Sequence, residues 1–113
     1  DAWRFHDLGR RIERATAVAR AVRVFGCAAA TADDLSTLLD VADSQISYRQ
    51  RYLSGLAHGP VVDLVALDPG NPRAIAYQVA TISEHLCRLS EAIARRYFLQ
   101  GGEPLRAGGL TLA

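Results

Sequence analysis

The chain has 113 residues, a net charge of +1 and a half-hydrophobic composition, which suits one domain able to bury a core. That balance excludes a global electrostatic pull toward nucleic acid or an anionic membrane. No apolar run approaches the ~20 residues of a bilayer span, and no secretory h-region with a small-residue cleavage site is present, so a cytoplasmic location is expected.

The sequence lacks methionine and opens on Asp1-Ala-Trp-Arg-Phe, which reads as the inside of a helix; a piece of a longer protein is expected. All 13 basic residues are arginine, a bias that suggests a GC-rich bacterial genome. Cys27 and Cys87 stand alone, without a Cys-x-x-Cys pair, and are expected to be small buried thiols. Charge is distributed unevenly. Residues 1–25 carry six Arg against Asp1, Asp7 and Glu13 (+3), residues 26–71 two Arg against six Asp (−4), and residues 72–113 five Arg against three Glu (+2). The opposite signs favour packing the first helix beside the second.

The first segment, Ala2 to Phe25, repeats Phe5, Leu8, Ile12, Ala15, Ala19 and Val22 in steps of three and four, the period of one helix face. Asp7 to Arg11 and Arg10 to Glu13 have the spacing of intrahelical pairs. Gly9 falls inside this helix, where it implies a close helix crossing, and Gly26 should stop it. Thr31 or Asp33 can cap a second helix. Its stripe runs Leu35, Leu38, Leu39, Ala42, Ile46, Arg49 and Leu53, with an arginine interrupting it. Pro60 then opens a short apolar helix to Leu67 that should be buried. Asp68-Pro69-Gly70-Asn71-Pro72 is a dense turn signal, with Asn71 as cap and Pro72 as first residue of a last long helix. That helix carries Ile75, Val79, Ile82, Leu86, Leu89, Ile93 and Tyr97, close to a heptad seam, and pairs Glu84 with Arg88 and Glu91 with Arg95.

These elements predict an all-α fold, a helical bundle of three long helices and one short one. The bundle should occupy residues 1–102, ahead of a flexible C-terminal tail over 103–113.

Two groups of side chains have the makings of a polar site. Arg10, Glu13 and Arg14 share one face of the first helix, either as a guanidinium-held carboxylate able to bind or move a proton or as a structural ion-pair network. Asp40, Ser44, Tyr48 and Arg51 share a face of the second helix, beside Asp43, Ser47 and Arg49. They fit a cleft in which arginine reads a carboxylate or phosphate, and equally a buried network between helices. Metal binding is not expected, since three residues after Glu13 and Glu84 stand Thr16 and Cys87 instead of His, and His6, His58 and His85 lack ligand spacing. Nucleophile-elbow, Walker and dinucleotide fingerprints are missing, so no cofactor is expected. The arginines of the first helix lack interleaved aromatics, which argues against nucleic acid as a partner.

Three phrases together resemble one family. Leu8-Gly-Arg-Arg-Ile-Glu-Arg14, Ala42-Asp-Ser-Gln-Ile-Ser-Tyr-Arg-Gln-Arg-Tyr52 and Asp63-Leu-Val-Ala-Leu-Asp-Pro-Gly-Asn-Pro-Arg73 are similar to the bacterial alpha-E family, an all-helical domain of unknown function, in its C-terminal portion. The resemblance spans Ala2 to Tyr97. It implies the company of circularly permuted ATP-grasp ligases and transglutaminase-like proteins, and so a role in ATP-dependent peptide or amide formation. It makes Arg10, Glu13, Arg14, Asp43, Ser44, Tyr48, Arg49, Arg51, Asp68, Asn71 and Arg73 the site candidates.

Three functions follow as expectations. The first is a non-catalytic accessory domain acting with an ATP-grasp ligase system. The second is a hydrolase or transferase of peptide or amide metabolism with Glu13 as base. The third is a self-associating helical scaffold, since the first and last helices carry more apolar surface than one neighbour each can cover; a homo-oligomer is expected on that ground.

Overall fold

The computed structural model describes residues 2–53, 55–99, 106–107 and 110–111. Five helices account for most of them: α1 (Ala2–Phe25), α2 (Ala32–Val41), α3 (Gln45–Arg51), α4 (His58–Val62) and α5 (Ile75–Leu99), with a π-helical turn, Asp63–Leu67, running on from α4. All-α is therefore the fold class, in more pieces than the sequence suggests. Most of the expected tail lies outside the described residues; within it Arg106–Ala107 and Leu110–Thr111 pair antiparallel.

The second predicted helix is two helices. Thr31 caps α2 as expected, with its hydroxyl accepting from the Asp34 amide while the Asp34 carboxylate accepts from the Thr31 amide, a reciprocal box that closes two free donors. The helix then breaks at Ala42–Ser44, where Asp43 takes a positive φ of 50°. Asp tolerates that left-handed turn better than most residues. Helical periodicity does not survive the break. Leu35, Leu38, Leu39 and Ala42 are buried, but Ile46 is 74% and Leu53 96% exposed, and Arg49 is exposed too.

The core gathers where the C-terminal half of α1 meets the short elements. Val18 and Ala21 pack with the three leucines of α2, with Ala42 and Tyr48, and with Val61, Leu64 and Val65 of α4 and the π turn. The short apolar helix is thus buried as its composition demanded, except Leu67, which is exposed. Beyond this core, α1 lies along α5, and α1 also touches α2 as the charge pattern suggested.

The faces that α1 and α5 turn toward each other are not the predicted stripes. Leu8 and Val22 are partly covered, but Phe5 and Ile12 are exposed. On α5 the buried residues are Gln78, His85 and Leu89, while Val79, Leu86 and Ile93 are each about half exposed. The contact face is therefore largely polar, and the apolar rows lie to its side. The predicted pairs shift with it. Asp7–Arg11 forms at 3.3 Å, Arg10 turns to Asp7 rather than Glu13, and Arg88 meets Glu91 at 4.0 Å.

The lone cysteines are both exposed, not buried. A Cβ at Gly9 would meet nothing within 4 Å, so that glycine serves no close crossing. α1 does end just before Gly26, but that residue is not a left-handed cap; close packing is what requires a glycine there. A Cβ there would fall 2.7 Å from the Val22 carbonyl and 3.3 Å from Leu38, and the Gly26 carbonyl accepts from His58 Nε2 at 2.7 Å. Gly26→Ala should cost about 1–3 kcal/mol through overpacking, whereas Gly9→Ala should stabilise by about 1 kcal/mol through helix propensity. Urea denaturation of the two variants checks both signs.

Candidate functional site

The α2–α3 break and the loop before α5 are locked together by one buried side chain. Asn71 donates from Nδ2 to Ser44 Oγ at 3.1 Å and to the Leu64 carbonyl at 3.0 Å, and its Oδ1 accepts from the Arg73 amide at 3.2 Å. The Ser44 hydroxyl in turn donates to the Ala42 carbonyl at 2.9 Å. Both residues are buried, and every buried side-chain polar atom among the described residues has a partner. A satisfied network in a low-dielectric interior is rigid. It holds Asp43 and Arg73 next to each other, and they close an ion pair, Arg73 Nε to Asp43 Oδ2, at 2.8 Å.

A second ion pair ties α3 to the same loop, Arg51 to Asp68. The Gly70 amide, donating at 2.8 Å, and then the Arg51 guanidinium hold the Asp68 carboxyl below the usual carboxylate range; Asp68 in turn raises the Arg51 pKa. Two phrases of the family pattern are therefore joined three times over: Ser44–Asn71, Asp43–Arg73 and Arg51–Asp68.

The first phrase joins them through Arg14. A cavity of about 280 Å³ is lined by Arg14, Ala17 and Val18 of α1, by Val41, Ala42 and Asp43, and by Arg73. On its other side Arg14 borders an open pocket of about 300 Å³ with Arg10 and Glu13. All three of those side chains are exposed. Of the eleven sequence candidates, Arg14, Asp43 and Arg73 thus share one cleft. Arg10 and Glu13 flank it, Ser44 and Asn71 build it from beneath, and Arg51 and Asp68 brace it.

Tyr48 and Arg49 lie elsewhere. The Tyr48 hydroxyl donates to the Gly55 carbonyl at 2.8 Å and accepts from the Ala57 amide at 3.3 Å, pinning the loop after α3. Its ring stacks at 4.8 Å on Tyr52. Arg49 borders a separate surface pocket with Gln45, Tyr48 and Tyr52. Ser44 and Tyr48 are one turn apart, the Tyr48 amide donating to the Ser44 carbonyl at 2.9 Å, but their side chains part, Ser44 to Asn71 and Tyr48 to the Gly55 carbonyl, and Asp43 lies on the far side of the break.

One polar constellation escaped the sequence reading. His85, 5% exposed, donates from Nε2 to Asp7 Oδ2 at 2.7 Å and faces Arg4 with Nδ1 at 3.1 Å. Arginine only donates, so Nδ1 is the acceptor in this contact. Arg11 donates to Asp7 at 3.3 Å and to Gln78 Oε1 at 3.2 Å, and Gln78 Nε2 donates to the Pro72 carbonyl at 2.6 Å. The seam between α1 and α5 is thus one chain of hydrogen bonds from Arg4 to the residue beside Asn71. Gln78 and His85, seven apart and facing Arg4, Asp7 and Arg11, were the available signal; His85 had been weighed only as a metal ligand. Among the described residues no group of His, Cys, Asp and Glu has the arrangement of a metal site, and no helix is long and apolar enough to cross a membrane.

Residues 1–103 match Alpha-E, described as a predicted alpha-helical domain with a conserved ER motif. The chain belongs to that family. The only Glu-Arg dipeptide in the sequence is Glu13-Arg14, so the motif falls at the mouth of the cleft. No curated protein and no solved structure matches the chain.

The His85 hydrogen bond, more than any other partner, holds the Asp7 carboxyl below its ordinary value, with Arg11 adding to it. A carboxylate depressed in the folded state contributes stability that is present above its unfolded pKa, about 3.9 for Asp, and is lost as pH falls through the lower folded value. Denaturation midpoints should therefore hold down to about pH 4 and fall below it. In Asp7→Asn that acid limb should shrink without vanishing, because Asp68 is depressed as well. An unchanged acid limb in Asp7→Asn would show that the seam does not couple α1 to α5.

Proposed function

We propose that this chain is a non-catalytic helical accessory domain that acts beside an ATP-grasp ligase forming amide or peptide bonds. One observation carries the reading: the three phrases of the family pattern converge on the Arg14–Asp43–Arg73 cleft. The buried hydrogen bonds of Asn71 and Ser44 fix the backbone around that cleft, which suits recognition. The ligase partnership, and with it a transglutaminase-like partner, comes from the family resemblance. Glu13 as the base of a hydrolase or transferase finds less support. A general base at neutral pH needs a carboxyl lifted by burial, and Glu13 is exposed.

A second reading, self-association, is favoured by the α1–α5 hairpin. Phe5 shares a cavity of about 360 Å³ with Leu89 and Ile93, so the rows Phe5/Ile12 and Val79/Leu86/Ile93, each spaced by seven, open on one side. Two helices about 36 Å long, side by side, offer a face on the order of 700 Å², close to the ~800 Å² per partner of a stable interface. A second copy laid on that face would complete a four-helix layer.

Light scattering on a sizing column, at micromolar concentration, separates these readings. The chain alone should run at twice its 12.2 kDa mass. Mixed with the ATP-grasp ligase of the same organism and ATP, it should move to a mass that includes the ligase, and Arg14→Glu should abolish that shift. A chain at its monomer mass overturns self-association. A ligase that elutes alone with and without ATP overturns the accessory reading.

A further inference from the structure

We propose that the cleft between α1 and the Asp43–Arg73 pair is a binding site for a carboxylate on a short aliphatic chain, the C-terminal residue of a peptide being the form it fits. The proposal rests on the reading of the cleft as a recognition site and not on the ligase partnership.

The chemistry of the lining leads there. Arg73 presents its Nε edge to a carboxylate already, that of Asp43 at 2.8 Å, so the guanidinium is oriented for an anion with two oxygens in a plane. Arg14 borders the same cavity from α1, and no ion pair engages it among the described residues. The rest of the lining is aliphatic: Ala17, Val18, Val41 and Ala42, of which Val18 and Ala42 are core residues nearly closed to solvent, so the apolar surface open to a ligand comes from Ala17 and Val41. Two guanidinium groups above an apolar floor match a carboxylate attached to a small hydrocarbon side chain. A volume of about 280 Å³ lies just below the range of about 300–1,000 Å³ of ordinary ligand pockets, room for one residue and its backbone and not for a nucleotide.

Asp43 supplies the switch. It is the one non-glycine residue with positive φ among the described residues, and strain of that kind gathers at ligand clamps. Its side chain is 79% exposed, so it can leave Arg73 for water at small cost while the backbone stays pinned by Ser44 and Asn71. An incoming carboxylate displaces Asp43 from Arg73 and takes its place, with Arg14 closing on the second oxygen. Asp43 is therefore a competitor for the ligand as well as a structural partner. A purely structural ion pair would make the opposite prediction for its removal.

Titration of alanyl-valine into the whole chain, followed by backbone amide NMR, tests this. Resonances of residues 14–18, 41–43 and 73 should shift together and saturate. Alanyl-valine amide, which lacks the charge, should bind at least about tenfold more weakly, and inorganic phosphate should compete poorly because it leaves the aliphatic floor empty. Arg73→Lys, which keeps the charge but loses the planar fork, should weaken binding about tenfold. Asp43→Asn should tighten it several-fold by removing the internal competitor, with the helical signal in circular dichroism showing that each variant folds. The proposal falls if the acid and the amide shift the same resonances equally, if phosphate binds as well as the peptide, if Asp43→Asn leaves affinity unchanged or lowers it, or if nothing saturates at millimolar peptide.

Discussion

The architecture of this protein depends on the side-chain amide of Asn71. Three groups that no helix satisfies converge on it: the Ser44 hydroxyl at the α2–α3 break, the Leu64 carbonyl in the π turn and the Arg73 amide ahead of α5. Each lies in a stretch where regular backbone bonding lapses, and a buried polar group without a partner costs roughly 1–3 kcal/mol. An asparagine offers both donors and an acceptor from one planar group. No apolar residue of the same size could replace it, and an aspartate would lose both donors.

From that point two polar systems extend in opposite directions. Outward, the clamp sets Asp43 against Arg73 and brings the pair opposite Arg14, which turns a break in a helix into a cleft. Along the chain, Pro72 accepts from Gln78, and the seam continues through Arg11 and Asp7 to His85 and Arg4. The α1–α5 hairpin is consequently held by directional bonds in the contact where aliphatic packing is usual. Hydrogen bonds fix register more tightly than they add stability, so the seam determines which residues of α1 face α5. It also leaves the aliphatic rows of both helices beside the contact, where a further helix layer has something to pack on.

How far the sequence could be read follows from the same physics. The extent of helix α1 was legible, because its period is unbroken and Gly26 follows its last residue. The burial of Val61, Leu64 and Val65 was legible from composition alone. The second helix was misjudged because hydrophobic periodicity continues on paper through Ala42–Ser44, while the buried network that breaks the chain there involves Asn71, 27 residues away from Ser44. The stripes of α1 and α5 were legible as apolar rows, but which of their residues are covered was not, since a period shows that a face is apolar and not what covers it: Leu89 is buried while Phe5, Ile12, Val79, Leu86 and Ile93 are exposed. Arg14, Asp43 and Arg73 were among the site residues inferred from the family phrases, yet their meeting could not be read from spacing. Tyr48 and Arg49, grouped with Asp43 and Ser44 on one helix, border a separate pocket instead, because the chain breaks between Asp43 and α3. Of the seam only the Asp7–Arg11 pair was legible, because its four-residue spacing is local, whereas His85 and Gln78 meet their partners across 67 to 81 residues.

The most direct test of the central role of Asn71 is native-state hydrogen exchange of Asn71→Ala beside the wild-type chain. If one side chain couples the three segments, the amides of Ser44, Asp68 and Ala74, which are bonded to Leu39, Asp63 and Asn71 carbonyls, should lose protection together. Global stability should fall by about 2–3 kcal/mol. If Ala74 alone becomes exchangeable while Ser44 and Asp68 keep their protection, the break, the π turn and the cleft are held independently of Asn71, and the account is wrong at its root.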